Sequence, residues 1–395
     1  MQFQYDYRPH RIANLESLES IVETKISVLH TEWSNGWGGQ EIRIINEMLK
    51  MRELGCECAL ACRKESQILD KAQHCGFETF TLPFRGQRDI ETIFALRKIL
   101  RGRFDIINTH SGIDTWCGGL SSLFLPVKFI RTRHLSNKIN TSRLNFINEL
   151  ADYIFTTGTN VMEMMIAENR IKRERIQSIP TGIDTSLFDP QLYDKIECRK
   201  QLGLPEKALL IGNLGVLRRF KRQDVFISLA SMVSEDCFFV IAGAQTSEMR
   251  AFLDSVAREY DVEKRIIFLG HVENPAVFLK AIDIFVMTSD CNEGVPQSLM
   301  QALAMELPCI ASDIGSIKDL HTGDNRGENF LLLHAKPDRG EYALALNRLI
   351  QDLKNEPQSL CLPNRAFIVR NFSLDIMGRK ILDVYSKLLG VQEGA

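Results

Sequence analysis

Short apolar runs alternate with segments of helical periodicity along most of the chain. After a polar leader at residues 1–23, the first half begins with KISVLH, QEIRIINEMLKMREL, CECALAC, ESQILDKAQHC and FETFTLP, and it continues in this way to IQSIP. Apolar runs of this length are typical of strands buried on both faces, and the helical segments between them provide the crossovers of a parallel sheet. The pattern predicts about seven strands in the first half.

A second series of the same kind follows a proline-containing segment from Thr181 to Glu206, which we interpret as an inter-domain connection. Six apolar runs, from LLIGNLG to NFLLLHA, alternate with helical segments such as EMRAFLDSVAREY and PQSLMQALAM. The two series predict an α/β protein with two doubly wound, Rossmann-like domains at residues 24–185 and 186–373. Because ligands bind at the carboxyl ends of such sheets, the two domains should face a central cleft.

The chain ends in the helical segment SLDIMGRKILDVYSKLL, which follows the last predicted strand. Its apolar residues recur at helical spacing, and we expect residues 374–390 to cross back and pack on the first domain. Burial within the second domain would produce the same apolar stripe.

Composition narrows the class of protein. A length of 395 residues suits two domains better than one core. The net charge of −2 argues against a nucleic-acid partner, because affinity for a phosphate backbone needs many uncompensated cations. No apolar run approaches the roughly 18–20 residues of a transmembrane helix, and the leader lacks the apolar core of a signal peptide, which predicts a cytoplasmic protein.

The cysteines do not change this assignment. Cys56, Cys58 and Cys62 form the one tight cluster among ten cysteines, and they alternate with apolar residues. We interpret them as positions of a buried strand, with a zinc site as the less favoured alternative.

Polar residues follow the predicted strands of the first half, where a ligand would bind. Gly38 and Gly39 precede a helix and would let backbone N–H groups approach a phosphate or sugar, although a GG turn is also ordinary turn chemistry. His110 stands at the tip of FDIINTH, where it either faces the cleft or caps the strand end. The next strand carries a basic group that is either a site for an anionic acceptor or a solvated charged face: Arg131, Arg133, His134 and Lys138.

The second half has a basic loop after its first strand. Arg218, Arg219, Lys221 and Arg222 lie between LLIGNLG and the following helix. Four cations at the start of a helix oppose the helix dipole, which a purely structural loop would avoid. Guanidinium and ammonium groups are natural partners of phosphate oxygens, so we interpret the loop as a diphosphate site.

A loop and helix after the strand DIFVMTS carry the most informative motif, NEGVPQSLMQALAMELP. Glu293 lies in the loop, Gly294 supplies flexibility, and Pro296 is well placed to start a helix whose free N–H groups point at the ligand. Gln301 lies eight residues after Glu293, a little over two helical turns, so both side chains can reach one cleft. A single carboxylate at a helix entrance is often only a cap, but beside the basic loop it provides a group for sugar hydroxyls.

Together these motifs resemble the retaining GT-B glycosyltransferases of family 4. The resemblance runs from about residue 25 to near the end and includes IPTGIDTSLFDP at the hinge. It implies that His110 faces the donor sugar, that Lys221 binds the donor diphosphate and that Glu293 contacts sugar hydroxyls. It also implies a donor-binding set composed of Gly38, Gly39, Arg218, Arg219, Gly243, His271, Val272, Gly294, Val295, Pro296 and Gln301.

Two positions depart from the family pattern. The second of its paired glutamates is Gln301 here, and an amide can still bond a ribose hydroxyl. The family's arginine before the basic loop is Val216, and Arg218 or Arg219 would replace it. No Asp-x-Asp pair occurs in the chain, so we expect no metal cofactor and expect Lys221 and its neighbours to stabilise the departing diphosphate.

The resemblance implies a nucleotide-sugar donor, UDP- or GDP-linked, and a saccharide or lipid-linked acceptor. Members of the family that act in bacterial envelope assembly imply that this chain takes part in lipopolysaccharide or polysaccharide synthesis. They also imply a peripheral contact with the inner face of the cytoplasmic membrane. Two alternatives remain: a nucleotide-sugar epimerase of the same fold, and an inactive sugar-binding partner subunit, which the changes at Gln301 and Val216 would suit.

Overall fold

The computed structural model describes residues 25–134, 139, 145–291, 293–321, 330–355 and 362–391. The polar leader and Lys138 lie outside these residues.

The first domain is built on a parallel sheet of seven strands in the order β3-β2-β1-β4-β5-β6-β7. The strands are β1 (Ser27–Glu32), β2 (Glu57–Cys62), β3 (Glu78–Thr81), β4 (Ile106–Thr109), β5 (Lys128–Arg133), β6 (Tyr153–Thr156) and β7 (Ile176–Ser178). The helices are α1 (Gly39–Glu53), α2 (Gln67–His74), α3 (Ile90–Leu100), α4 (Gly112–Ser122), α5 (Ile147–Leu150) and α6 (Thr159–Asn169).

The second domain is built on a parallel sheet of six strands in the order β10-β9-β8-β11-β12-β13. The strands are β8 (Leu209–Leu214), β9 (Cys237–Ala242), β10 (Ile266–Gly270), β11 (Ile284–Met287), β12 (Cys309–Ser312) and β13 (Phe330–Leu333). The helices that follow β7 along the chain are α7 (Lys195–Gln201), α8 (Gln223–Ser228), α9 (Ser247–Glu259), α10 (Pro275–Ala281), α11 (Gln297–Ala304), α12 (Arg339–Asn355), α13 (Leu362–Phe372) and α14 (Leu374–Leu389), of which the last lies against the first domain.

The order reverses beside β1 in the first sheet and beside β8 in the second. A reversal of this kind opens a crevice between the loops at the carboxyl ends of neighbouring strands. The predicted doubly wound fold is therefore confirmed, and all thirteen strands fall on the apolar runs that predict them.

Helix α4 shows why some helices escape prediction. Its sequence, GIDTWCGGLSS, has little apolar periodicity. A side chain at Gly119 would lie 2.7 Å from atoms of Ile147 and Phe129, so the helix needs small residues to pack closely against its neighbours. Close packing through glycine removes the apolar stripe by which an amphipathic helix is recognised. Helix α7 lies within the segment that the sequence suggested was only a connection.

The C-terminal helix α14 packs on α1 of the first domain. Its buried residues Met377, Ile381, Val384 and Tyr385 join the core formed by α1 and the first sheet. The chain crosses between the domains beside its earlier crossing, where Ile183 N donates to Phe372 O at 2.9 Å and Leu374 N donates to Ile183 O at 3.0 Å. The first domain thereby receives chain from both ends of the described sequence, and the second domain is formed by the chain between the two crossings.

The clustered cysteines are core residues. Cys56, Cys58 and Cys62 are buried in and beside β2, and burial raises the pKa of the Cys56 and Cys62 thiols to about 11. Within the residues that the structure describes, none of the helices combines the length and the apolar character that crossing a bilayer would require.

Candidate active site

Contacts between the domains define a cleft at the carboxyl ends of the two sheets. Gln297 Nε2, at the start of α11, donates to Gly39 O at the start of α1 over 3.3 Å. A side chain on Gly294 would lie 3.2 Å from Thr157 Oγ1, which follows β6. The predicted GG turn of the first domain and the Glu293 loop of the second therefore lie on opposite sides of one cleft.

Lys221 and Glu293 form an ion pair on the second-domain side of this cleft. Lys221 Nζ donates to Glu293 Oε1 at 2.6 Å, and the glutamate is only 6% exposed. The basic loop is held by the strand next to it, because the Thr288 hydroxyl donates to the carbonyl oxygens of Lys221 and Arg222 at 3.0 and 2.8 Å. Two side chains that are 72 residues apart in the sequence thus lie in contact at the carboxyl ends of β8 and β11.

The other cations of the basic loop have different surroundings. Arg218 is exposed at the start of a 3-10 turn, Arg219–Lys221. The guanidinium of Arg219 lies 3.7 Å from the ring centre of Phe252 in α9. A cavity of about 440 Å³ opens beside the loop, lined by Arg219, Phe220, Arg222, Asp224, Phe252 and Asp290. Arg222 is paired with Asp224 and Asp290, which leaves less of its charge available to a phosphate.

Glycines bring the strand ends of the second sheet close together. Gly243 has φ of +151°, and a Cβ there would lie 1.9 Å from Gly215 O. Gly243 N also donates to Gly270 O at 2.7 Å. His271, which follows, is exposed, whereas Val272 is half-buried and packs on the domain core. The motif residues after β8, β9 and β10 therefore form one continuous rim of the cleft.

The loop before α11 is shaped by the packing of its apolar residue. Val295 is buried in the second-domain core, and Pro296 is the N-cap of α11. Gln297, the first residue of the helix, is the amide that reaches the first domain, whereas the motif pattern pointed to Gln301. Gln301 is half-buried one turn later, on the same face of the helix. The sequence signal for this role of Gln297 is an amide directly after the proline that starts the helix.

Three histidines form a hydrogen-bonded chain at the strand ends of the first domain. His110 Nε2 lies 3.0 Å from His30 Nδ1, and His110 Nδ1 lies 3.0 Å from His134 Nε2. Burial lowers the pKa of His30 to about 3 and holds the pKa of His110 and His134 well below the ordinary value. The three imidazoles are therefore neutral at pH 7, and each donates at most one N–H.

This arrangement changes the role expected for His110. Both of its ring nitrogens are already bonded to protein, so a contact with a donor sugar requires one of these bonds to be exchanged. His30 was missed because the KISVLH run suggests that the strand ends there, whereas β1 continues to Glu32. The three histidines meet because β1, which carries His30, and β4 and β5, which His110 and His134 follow, are neighbours in the sheet.

The described members of the basic group, which lie on β5 and directly after it, do not form an open charged face. Arg131 is only 4% exposed, and its Nη1 donates to Asn148 Oδ1. Burial lowers the pKa of Arg131 to about 9 and that of Arg133 to about 10. The reason is that β5 is a central strand, so side chains along it point into packed layers. Arg133 and His134 are half-buried at the strand end and remain near the cleft.

A buried carboxyl group lies beside His110 and was not predicted. Glu32, the last residue of β1, accepts from Ser111 Oγ at 2.8 Å, from Ser34 N at 2.8 Å and from Gln40 Nε2. Burial and the nearby charge of Asp114 raise the pKa of Glu32 to about 8. The first domain therefore presents a carboxyl group that is largely protonated at neutral pH and is bonded to Gln40, the residue after the GG turn.

The raised pKa of Glu32 predicts a loss of stability as the pH rises towards 8. Its ordinary value is 4.5, so between pH 4.5 and 8 the folded state holds a proton that the unfolded state has lost. The free energy of unfolding then falls as the pH rises through this window. The buried histidines, whose pKa values are lowered, oppose this trend near pH 6.5, and burial also raises the pKa values of Asp114 and Glu47. A comparison of wild type with a Glu32 variant therefore isolates the contribution of Glu32.

Denaturant titrations of wild type and Glu32→Gln between pH 6.5 and 8 measure this effect. We expect the free energy of unfolding to fall less steeply in Glu32→Gln, while Glu57→Gln, at an exposed position in β2, should follow wild type. Identical slopes for wild type and Glu32→Gln would show that Glu32 titrates as an ordinary carboxyl group.

Comparison with known proteins finds one family model for each of the two domains. The family model "Glycosyltransferase Family 4" matches residues 37–187, and the model "Glycosyl transferases group 1" matches residues 194–359. The chain is a GT-B glycosyltransferase of this group. Each model corresponds to one domain of the enzyme, and together they confirm the fold that its motifs predict.

Named relatives of the glycosyltransferase are sugar transferases, one of them named for lipopolysaccharide core biosynthesis. It is 29% identical over 262 residues to the lipopolysaccharide core biosynthesis mannosyltransferase LpsB of Rhizobium meliloti, covering 64% of this chain and 71% of the relative. It is 26% identical over 315 residues to the UDP-Gal:alpha-D-GlcNAc-diphosphoundecaprenol alpha-1,3-galactosyltransferase of Escherichia coli, covering 75% and 79%.

The fold of the glycosyltransferase also matches a solved complex. Anabaena HepE in complex with UDP-glucose superposes with a TM-score of 0.77 at 16% identity, covering 92% of this chain and 100% of HepE. At this identity the match establishes the shared fold of the two proteins.

Proposed function

We propose that this enzyme transfers a sugar from a nucleotide-diphosphate donor to a saccharide or lipid-linked acceptor, with retention of anomeric configuration, in lipopolysaccharide or surface polysaccharide assembly. The observation that carries this proposal is the Lys221–Glu293 pair, 2.6 Å apart in the cleft opposite the GG turn. A cation for phosphate and a carboxylate for hydroxyls in one place suit a molecule that joins a phosphate to a sugar.

The comparisons support the donor and acceptor classes. HepE was solved with UDP-glucose, and the Escherichia coli relative is named for a UDP-galactose donor and a diphosphoundecaprenol acceptor. We infer a UDP- or GDP-linked donor on the second domain and an acceptor on the first. An acceptor of the lipid-linked kind would place the enzyme in the cytoplasm against the inner face of the membrane.

The proposed reaction uses the cleft residues as follows. The bond from the anomeric carbon to the diphosphate breaks, and the acceptor oxygen forms the new bond on the same face. The acceptor proton passes to the departing phosphate oxygen. Lys221, helped by Arg218 and Arg219, stabilises the charge that grows on the diphosphate, because a fixed cation in a water-poor site is worth more than in bulk water. Glu293 orients the sugar through its hydroxyls.

First-domain residues are suited to the acceptor. The histidine chain consists of His30, His110 and His134. Glu32, Ser111 and Gln40 form a hydrogen-bonded group whose members directly follow His110 and the GG turn in the chain or end β1. Such a group can donate to and accept from the hydroxyls of a sugar. We infer that this group, with Arg133 and His134 at its edge, receives the acceptor saccharide.

A ligand screen followed by product analysis tests the proposal. A nucleotide sugar that binds only the folded state should raise the melting temperature, and the best donor is then incubated with saccharide and lipid-linked acceptors. NMR of the product should show the anomeric configuration of the donor. An inverted product would refute retention, release of a free epimer would identify an epimerase, and binding without turnover would identify an inactive subunit.

Transfer should persist in excess chelator. In the proposed mechanism cationic side chains, with Lys221 foremost, take the place of a divalent ion at the departing diphosphate. Initial rates with and without a millimolar chelator measure this directly. A rate that falls with chelator and returns with magnesium or manganese would contradict the metal-independent mechanism.

A further inference from the structure

Helix α6 of the first domain begins without a capping side chain of its own. Its N-cap is Gly158, which has no side-chain acceptor to offer. The first N–H groups of a helix have no partner within the helix, and a residue just before the helix usually satisfies them. Here the acceptors come from the second domain. Asp319 Oδ2 accepts from Thr159 N at 2.9 Å, and Ser316 Oγ accepts from Asn160 N at 3.1 Å.

The approach of the two domains at this point requires the glycine. A Cβ on Gly158 would lie 2.2 Å from Ser316 Oγ and 2.5 Å from Ser316 Cβ. Its φ of −175° is extended backbone that any residue can adopt, so space is the reason for glycine here. The Thr159 hydroxyl donates a further hydrogen bond to Asp319. The contact is therefore close, polar and specific in its geometry.

The same segment of the second domain also supports the Glu293 loop. Ser316 N donates to Gly294 O at 3.2 Å. Gly315 has φ of +58°, and a Cβ there would lie 1.8 Å from Glu293 O. Residues 315–319 thus contact α6 through their side chains and the Glu293–Gly294 backbone through their main chain.

We propose that Ser316 and Asp319 form an interdomain latch that holds the Glu293 loop against the first domain when the cleft is closed. The carboxylate of Asp319 meets the positive end of the α6 dipole, which favours the closed arrangement. Opening the cleft leaves the first N–H groups of α6 without these acceptors. Closure and placement of Glu293 are therefore coupled through one segment.

The catalytic consequence of the latch rests on the proposed function, whereas the closure itself does not. Two measurements separate them. Amide hydrogen exchange at Thr159 and Asn160 reports whether the latch is closed, with no substrate present. Turnover with the donor found in the thermal-shift screen reports whether closure positions Glu293.

Asp319→Ala should open the latch. We expect exchange of the Thr159 and Asn160 amides to accelerate about tenfold and kcat to fall about tenfold, while the affinity for UDP stays within about twofold. Asp194→Ala is the matched control, because Asp194 caps α7 inside the second domain by accepting from Ile196 N and Glu197 N. It should leave exchange at α6 and kcat unchanged.

Two further variants address the same contact from other positions. Asp319→Asn keeps an acceptor oxygen and should recover part of the exchange protection and of kcat. Gly158→Ala should open the latch from the first-domain side, whereas Gly86→Ala, at a site with open space, should not.

Exchange at α6 that is the same in Asp319→Ala and wild type would overturn the latch. Faster exchange with an unchanged kcat would overturn the positioning role. If wild type exchanges as expected but transfers no sugar, the proposed function fails and the latch stands.

Discussion

Glu293→Ala should lower kcat/KM about a thousandfold while leaving the melting temperature nearly unchanged. The carboxylate is buried in the cleft and paired with Lys221, so it contributes to a polar site and to neither apolar core. Losing one charged contact in a water-poor active site typically costs about a hundred- to a thousandfold in rate. Steady-state kinetics and a thermal melt on the same preparation measure both quantities.

Asp290→Ala is the matched control for this variant. Asp290 lies three residues earlier in the same loop and pairs with Arg222 at 3.3 Å, and its side chain is 41% exposed. Exposed ion pairs contribute little, so its kinetics should remain close to wild type. Normal turnover by Glu293→Ala would remove the residue from the site, and equal losses in both variants would show a general disturbance of the loop.

Lys221→Ala should lower kcat by about a hundred- to a thousandfold, with a much smaller effect on affinity for the nucleoside diphosphate. Charge on the departing phosphate grows as the glycosidic bond breaks, so a cation there stabilises the transition state more than the ground state. The loss corresponds to about 3–4 kcal/mol. Pre-steady-state turnover and equilibrium binding of UDP separate the two effects.

The ion pair adds a condition to this prediction. Lys221→Ala leaves Glu293 buried without its cation, so the two substitutions should not act independently. We expect Lys221→Ala/Glu293→Ala to lose little more than either single variant. Arg218→Ala and Arg219→Ala, alone and combined with Lys221→Ala, measure compensation by the exposed cations. If all of these variants stay active, the basic loop does not bind the diphosphate.

The candidate site could be predicted in part because its loops follow strands. Apolar runs reveal where a parallel strand ends, and ligands bind at those ends, so Lys221, Glu293 and the GG turn could all be placed from the sequence. The contact of Lys221 with Glu293 could not, since it depends on β8 and β11 being neighbours. The order of the strands in a sheet cannot be inferred from the apolar pattern of any single strand.

His110 shows the same division between sequence and structure. Its position at the tip of β4 follows from the apolar run before it, but its partners His30 and His134 are 80 and 24 residues away. Arg131 shows the converse, because a cation near a strand end suggested an exposed group, whereas a central strand directs it into the packed interior.

The sequence by itself determined the two parallel-sheet domains, their strands and the loops that carry chemistry, because burial on both faces of a sheet demands continuous apolar runs whatever the strand order. Tertiary structure alone decided which loops meet. It paired Lys221 with Glu293, aligned the three histidines, buried Arg131 and supplied the cap of α6 from the other domain. Contacts of this kind depend on the relative positions of strands and domains, and hydrophobic periodicity reports only the immediate surroundings of each residue.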